Sequence, residues 1–288
     1  MTFQNIVFPV DLSDRCSAAA KYVRAMAVTF HSKVTLVHAI ADPLKWYGSL
    51  NPVKAVEVDL PRVLREAENT LRAFAEAEFS GTDVRVVLEL ADPTELIERI
   101  STDLKADLIM MPTLGLGRFR AALLGSVTAN VLHDLPIPVW TEVHQEAMLS
   151  ERFLPIRNVV CAIDLGPESA PALRFASEFA GQCGATLKVA HGVPVTEMLL
   201  GKYREIEPPV YMEDFARAEI EKIQREAGTS ADLWLEAAPI ADVVRNAVVH
   251  FHGDLVVVGR GEIGHFAGPL KAHTYAIVRE SPCPVLSL

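Results

Sequence analysis

The amino-acid sequence predicts an α/β protein made of two tandem domains, each with an open parallel sheet and helices on both faces. Two observations predict this fold class: a long internal repeat, and a regular alternation of strand-like and helix-like segments inside each repeat. The composition agrees with it, because 50% of the 288 residues are hydrophobic and 22% are charged. A chain of that size and composition buries a sizeable core and is not expected to be disordered.

The internal repeat rests on four blocks that recur in the same order. The corresponding positions are Asp11 and Asp164, His38 and His191, Asp107 and Asp254, and Pro136 and Pro282. The offset drifts from 153 residues in the first two pairs to 147 and 146 in the last two. Since this period is far longer than that of solenoid repeats, each repeat is expected to be a complete domain. The predicted domains are 1–143 and 154–288, joined by a linker at 144–153.

Within each repeat, short apolar runs alternate with segments whose apolar residues recur at helical spacing. The strands predicted in the first repeat are 6–10, 34–40, 84–90, 108–111 and 138–141, and the helices are 14–30, 53–79, 93–104 and a fourth that includes 127–133. The strands predicted in the second repeat lie near 156–163, 185–191, 232–237, 254–258 and 284–287. Ser13 is the expected N-cap of the first helix, and Pro61 and Pro93 stand near the starts of two others. Such alternation predicts parallel sheets.

Net charge, hydropathy and cysteine spacing argue against several classes of protein. With 27 basic and 37 acidic residues the net charge is −10, which argues against nucleic acid as the main partner. No apolar run approaches the roughly 18 residues of a membrane-spanning helix, and the N-terminus does not resemble a signal peptide. The four cysteines lack a Cys-x-x-Cys spacing, so we expect buried, reduced thiols in a cytoplasmic protein, with Cys161 and Cys183 in the core.

A ligand of such an open sheet binds at the carboxyl ends of the strands where the strand order reverses. Asp11 follows the first strand, and a glycine-containing loop with Arg118 and Arg120 follows the fourth. This loop ends in Gly125-Ser126 at the start of a helix, whose free amides and dipole favour an anion. The chemistry therefore predicts a candidate phosphate-binding loop.

These features resemble the universal stress protein family over both halves of the chain. The resemblance is carried by the Pro-Val-Asp that ends at Asp11, by His38, by the loop with its Leu-Leu-Gly-Ser-Val, and by the closing Pro-x-Pro-Val. It implies Rossmann-like domains of five strands in the order 3-2-1-4-5. It also implies that the two domains pair through their last strands within one chain, and it makes a homodimer plausible.

The resemblance also implies a nucleotide site in the first domain. Nucleotide-binding members of the family carry Gly-x2-Gly-x9-Gly-Ser/Thr after strand 4 and bind ATP through the backbone amides of that loop, with an Asp after strand 1 on the adenine. The residues implied here are Asp11, Ala39, Gly115, Gly117, Gly125 and Ser126. Pro112 stands in place of the first glycine of the motif, and because proline lacks an amide donor we expect weaker binding.

The second domain departs further from this motif. Asp164 and Gly259 match it, but Lys271-Ala272 aligns with the closing Gly-Ser pair. A side chain at position 271 would stand where a phosphate approaches the backbone. We therefore expect a degenerate second site at Asp164, Gly259 and Lys271, with the domain acting as a structural partner of the first.

The predicted function is that of a stress-response module that binds an adenine nucleotide in its first domain. Two alternatives stay open: an interaction or signalling protein without nucleotide, and a weak ATPase. An enzyme is not expected, because the sequence holds no Gly-x-Ser-x-Gly elbow, no Walker loop and no His-Glu-x-x-His. No metal is expected beyond Mg²⁺ bound with the nucleotide. His38 and His191 are expected to be hydrogen-bonded structural residues. Apolar and aromatic insertions near 43–48, 198–203 and 208–212 are expected to form a lid, a partner contact or an apolar ligand wall, or else to pack under a long loop.

Overall fold

The computed structural model describes six stretches of the chain. They are residues 3–41, 59–113, 124–143, 154–193, 210–260 and 269–288. For residues 210–211 and 269–272 only the backbone is described. The linker at 144–153 and the three apolar insertions lie outside the described residues, except for the backbone of 210–211 and the helical residue 212. The chain divides into two compact units, the first built on Thr2–Arg120 and Leu124–Val139, the second on Trp140–Leu288.

The first repeat forms a five-stranded sheet with four described helices. Its elements are β1 (Asn5–Pro9), α1 (Asp14–Phe30), β2 (Lys33–Ile40), α2 (Leu60–Glu78), β3 (Val84–Leu90), α3 (Pro93–Asp103), β4 (Leu108–Met111), α4 (Ser126–Asp134) and β5 (Val139–Thr141). The strands lie in the order β3-β2-β1-β4-β5. In the described pairs β1 is parallel to β2 and β4, and β2 is parallel to β3. The predicted α/β class with a parallel sheet is confirmed.

The second repeat has the same succession of elements. They are β6 (Asn158–Ala162), α5 (Ser169–Cys183), β7 (Thr186–Gly192), α6 (Val210–Ala227), β8 (Asp232–Glu236), α7 (Ile240–Phe251), β9 (Leu255–Val258), α8 (Pro269–Glu280) and β10 (Val285–Ser287). The strand order is β8-β7-β6-β9-β10. Two residues of the first repeat, Trp140 and Thr141, belong to this second compact unit. There the Trp140 ring lies 6.4 Å from the ring of Phe179, and the Thr141 hydroxyl donates to the carbonyl of Val285 at 3.3 Å.

The central strands form where the sequence is continuously apolar. All four residues of β4 and all four of β9 are buried, because helices cover both faces of a parallel sheet. In strand β3, at the edge of its sheet, Val87 alone is buried and the other residues are partly or fully exposed. The sequence pattern therefore identifies the strands that carry the core and, with them, the strands whose ends form the site.

Two of the described helices begin with an aspartate whose side chain caps the helix. Asp59 accepts a hydrogen bond from the amide of Arg62 at the start of α2, and Asp92 accepts from the amide of Thr94 at the start of α3. Ser13 does stand at the N-cap of α1, but its side chain makes no capping bond. The predicted N-cap position of Ser13 is therefore confirmed, although its hydroxyl donates to Asp11 and accepts no amide of the helix.

Candidate functional site

The candidate site of the first repeat lies where β1 separates β2 from β4. Val7 of β1 pairs with Thr35 on one side and with Ile109 on the other. Asp11 and Thr113 each come four residues after the Val7–Ile109 pair, so both follow their strands at the same edge of the sheet. This is the switch point at which open α/β sheets bind ligands.

Asp11 is held by a small hydrogen-bonded turn. Its Oδ1 accepts from the amide of Ser13 at 3.1 Å, from the Ser13 hydroxyl at 2.6 Å and from the Cys16 thiol at 3.0 Å. The amide of Asp11 in turn donates to Cys16 Sγ at 3.3 Å. The carboxylate is therefore fixed in one orientation directly after β1.

The residue after Asp11 has an uncommon backbone conformation. Leu12 has a φ of 62°, in the left-handed region that costs a residue with a Cβ about 1–2 kcal/mol. Leu165, the corresponding residue of the second repeat, has a φ of 67°. The same strained turn thus follows the first strand of both repeats, as is often found next to binding sites.

The loop after β4 is closed at its base by two hydrogen bonds. The amide of Gly125 donates to the carbonyl of Thr113 at 2.9 Å, and the hydroxyl of Thr128 donates to the carbonyl of Pro112 at 3.1 Å. These bonds fix the start of α4 against the end of β4. The predicted residues Gly115 and Gly117 lie in 114–123, outside the described residues.

Helix α4 presents its N-terminus at this edge. Gly125 is its N-cap, with φ −58° and ψ 142°, and no side chain caps the helix. Ser126 is exposed in the first turn. An uncapped helix start carries a partial positive charge and amide donors that suit an anion, and Gly125 has no side chain to obstruct it.

The end of β2 lies at the same edge of the sheet as Asp11 and the start of α4. Ala39 is half-buried and pairs with Glu89 of β3. The preceding His38 makes a hydrogen bond of 2.7 Å between its Nδ1 and the carbonyl of Val10. In the second repeat His191 Nδ1 bonds the carbonyl of Ile163 at 2.8 Å, so both histidines tie the second strand to the end of the first, as predicted.

Comparisons with known proteins decide the family. A family model described as the universal stress protein family matches residues 2–141 and, a second time, residues 155–288. The chain belongs to the universal stress protein family. The two matches confirm tandem copies of the same domain, and together they cover nearly the whole chain.

Individual relatives agree with this assignment. A universal stress protein of Methanocaldococcus jannaschii is 30% identical over 150 residues, which cover 48% of this chain and 93% of the relative. One of Thermus aquaticus is 32% identical over 137 residues, covering 48% of this chain and 96% of the relative. The solved structure of a universal stress protein from Archaeoglobus fulgidus matches 99% of this chain and 97% of its own with a TM-score of 0.68 at 19% identity, which supports the fold.

The second universal stress protein domain keeps only part of the site. Asp164 is exposed, and its Oδ1 accepts from the amide of Gly166 at 2.8 Å and from the hydroxyl of Ser169 at 3.0 Å. The hydroxyl of Thr274 donates to the carbonyl of Gly259 at 3.3 Å, which corresponds to the bond between Thr128 and Pro112. The side chain of Lys271 lies outside the described residues.

Two residues that follow β4 and β9 were missed by the sequence argument. Thr113 is 1% exposed, and its hydroxyl finds no hydrogen-bond partner among the residues that the structure describes. Arg260 is the corresponding residue of the second domain, and its amide and its Nε both donate to the carbonyl of Leu288 at 3.1 Å. The repeat alignment itself pairs these two positions, so their difference could have been found from the sequence.

Burial shifts the pKa of one ionisable side chain near the turn that follows the first strand of each domain. Burial and the neighbouring Asp11 raise the pKa of Cys16 to about 12, so this thiol stays protonated. Burial lowers the pKa of His191 below its ordinary value. Within the described ranges no group of three His, Cys, Asp or Glu side chains could hold a metal ion, and no helix is long and apolar enough to cross a membrane.

Proposed function

We propose that this universal stress protein binds an adenine nucleotide at the strand switch point of its first domain. One observation carries the proposal: the fixed carboxylate of Asp11 and the uncapped start of α4 at Gly125 lie at the same edge of one sheet. A carboxylate suits the polar groups of adenosine, and a helix N-terminus suits phosphates.

The nucleotide spans the two halves of this edge. Its adenosine end lies beside Asp11 and Ala39, at the ends of β1 and β2. Its phosphates lie against the amides at Gly125 and Ser126, with Gly115 and Gly117 completing the loop. Pro112 supplies a carbonyl to Thr128 but no amide to the ligand, which makes binding weaker than with the complete glycine motif.

The second domain does not bind nucleotide in this proposal. It keeps the turn around Asp164, but Arg260, a long cationic side chain that is 5% exposed, takes the place of Thr113. Lys271 takes the place of Gly125. Arg260 adds side-chain volume at the edge where the first domain has Thr113, and the sequence has no glycine at position 271.

The function is binding without turnover. Asp11, the acid nearest the proposed ligand, already accepts three hydrogen bonds on one oxygen, and Cys16 stays a neutral thiol. Neither is poised to activate a water molecule for attack on a phosphate. The chain therefore responds to nucleotide as a ligand in a stress response. The proposed location is the cytoplasm.

We also propose that the domains 1–143 and 154–288 pair through β5 and β10. The support is that Trp140 and Thr141 of β5 are part of the second compact unit, where Thr141 bonds Val285 of β10. Short apolar edge strands tend to pair in this way. Truncation of residues 139–143 is expected to expose this edge of the second domain and cause self-association in analytical ultracentrifugation, and an unchanged sedimentation profile would contradict the pairing.

The nucleotide proposal is tested with a matched pair of aspartates. We expect calorimetric titration with ATP to show that Asp11→Ala weakens binding at least tenfold, whereas Asp164→Ala leaves it unchanged. Mass spectrometry of small molecules released from the purified protein identifies the natural nucleotide. Absence of ATP binding to the wild type would favour the interaction protein without nucleotide, and turnover well above background would favour the weak ATPase.

A further inference from the structure

The turn around Asp11 contains a side chain that the nucleotide motif does not include. Cys16, in the first turn of α1, donates its thiol hydrogen to Asp11 Oδ1 at 3.0 Å and accepts the Asp11 amide at 3.3 Å. It thus bonds both the side chain and the backbone of the same aspartate. The Ser13 hydroxyl adds a second side-chain donor to Oδ1 at 2.6 Å.

The second domain repeats this contact with different chemistry. The offset of 153 residues that relates Asp11 to Asp164 also relates Cys16 to Ser169. Ser169 donates its hydroxyl to Asp164 Oδ1 at 3.0 Å. A side-chain donor to the same carboxylate oxygen therefore stands at this position in both domains, although one is a thiol and the other a hydroxyl.

The surroundings of Cys16 favour a role in positioning over one in reactivity. The residue is fully buried, which keeps the thiol from reagents in solution. Its raised pKa of about 12 keeps the hydrogen on sulfur at physiological pH, so the thiol remains a donor. Cys16 therefore holds Asp11 in place at any pH at which the protein functions.

We propose that Cys16 is a positioning residue of the nucleotide site, whose thiol holds Asp11 in the orientation that meets the adenosine end of the ligand. This inference rests on the proposed function. It assigns to Cys16 a hydrogen-bonding role that serine can replace and alanine cannot. Loss of the Cys16 thiol is expected to weaken contacts only at the adenosine end of the nucleotide, because the phosphate end lies at Gly125 and Ser126 on a different helix.

The test compares three variants with two probes. Cys16→Ala, Cys16→Ser and the matched Ser169→Ala are titrated with ATP and with inorganic triphosphate, and their folding is checked by thermal unfolding. Loss of one hydrogen bond to a charged group predicts that Cys16→Ala weakens ATP binding about tenfold. Cys16→Ser is expected to stay within about threefold of the wild type. Ser169→Ala is expected to match the wild type, and triphosphate affinity is expected to be equal in all four proteins.

Three results would overturn the inference while leaving the proposed function intact: unchanged ATP affinity in Cys16→Ala, equal losses of ATP and triphosphate affinity, or no rescue by serine.

Raman spectroscopy of the S–H stretch tests the hydrogen bond from Cys16 to Asp11 without ligand. The Cys16 band, identified by its loss in Cys16→Ser, is expected at a lower frequency than the other thiols and moves up in Asp11→Ala. No ATP binding by the wild type would overturn the proposed function and the positioning role with it, and an unshifted band would overturn the thiol contact alone.

Discussion

The amide of Gly125 donates to the carbonyl of Thr113 at 2.9 Å, and this bond closes the loop that follows the fourth strand of the first domain. It brings the start of α4 to the end of β4, beside the strand that leads to Asp11. Together with the bond from the Thr128 hydroxyl to the carbonyl of Pro112, it points the positive end of the helix dipole at the switch point. The bond from Gly125 itself joins backbone atoms, so it does not depend on the side chain at position 125.

Gly125→Val is expected to abolish ATP binding and to leave the fold intact. The φ of −58° is accessible to valine, so the substitution lowers the free energy of unfolding by no more than about 1 kcal/mol for the altered N-cap. The new side chain fills the space that a phosphate needs. Equilibrium dialysis with ATP and chemical denaturation measure the two effects, with Lys271→Val as the matched control in the second domain. ATP affinity equal to that of the wild type would contradict the phosphate site.

The His191 pKa makes the stability of the second domain depend on pH. Burial lowers this pKa in the folded state, so folding favours the neutral ring. The stabilising contribution is therefore complete above the unfolded pKa of about 6.5 and decreases as the pH falls from there toward the folded pKa. Denaturation at pH 7.5 and 5.5 is expected to show a smaller loss of stability in His191→Asn, whose amide can donate to the carbonyl of Ile163. An equal loss in both proteins would refute this account.

The helix ends at His31 and His252 offer a stabilising substitution. Both residues are exposed and left-handed, with φ of 54° and 51°, at the C-caps of α1 and α7. Glycine adopts this conformation without steric cost, so His31→Gly is expected to raise the free energy of unfolding by about 1 kcal/mol. His31→Ala serves as the control and is expected to give no gain. Urea denaturation measures both, and a destabilised glycine variant would argue against the left-handed cap.

The four thiols are expected to react slowly in the folded protein. Burial raises the pKa of Cys161 and of Cys283 to about 12, as it does for Cys16, and raises that of the half-buried Cys183 to about 11. Since the thiolate is the reactive form, iodoacetamide at pH 8 is expected to label Cys183 first. Peptide mass spectrometry gives the order, and early labelling of Cys16 would contradict its buried position.

The sequence predicts the strands well because buried parallel strands consist of continuous apolar runs. The run 108–111, predicted as the fourth strand, is β4, and 84–90 is β3. The prediction for Cys183 was less good, because this residue is the last of α5 and is only half-buried. Helical periodicity predicts which face of a helix is buried, but not how far along the helix the burial extends.

Part of the candidate site lay beyond sequence reasoning. The position of Asp11 after β1 followed from the pattern, but the bond from Cys16 to Asp11 depends on how α1 begins. Ser13 was predicted at the N-cap of that helix and stands there, but its hydroxyl donates to Asp11 and accepts no amide of the helix. The orientation of this hydroxyl depends on the backbone geometry of the turn, here the left-handed Leu12, a conformation that no residue pattern predicts because leucine rarely adopts it.

The measurement that tests the central claim most directly is the stoichiometry of ATP binding by calorimetry. The account predicts saturation at one ATP per chain, complete loss of that site in Gly125→Val, and one site retained in Lys271→Val. Saturation at two ATP per chain, or a site that persists in Gly125→Val and disappears in Lys271→Val, would contradict it.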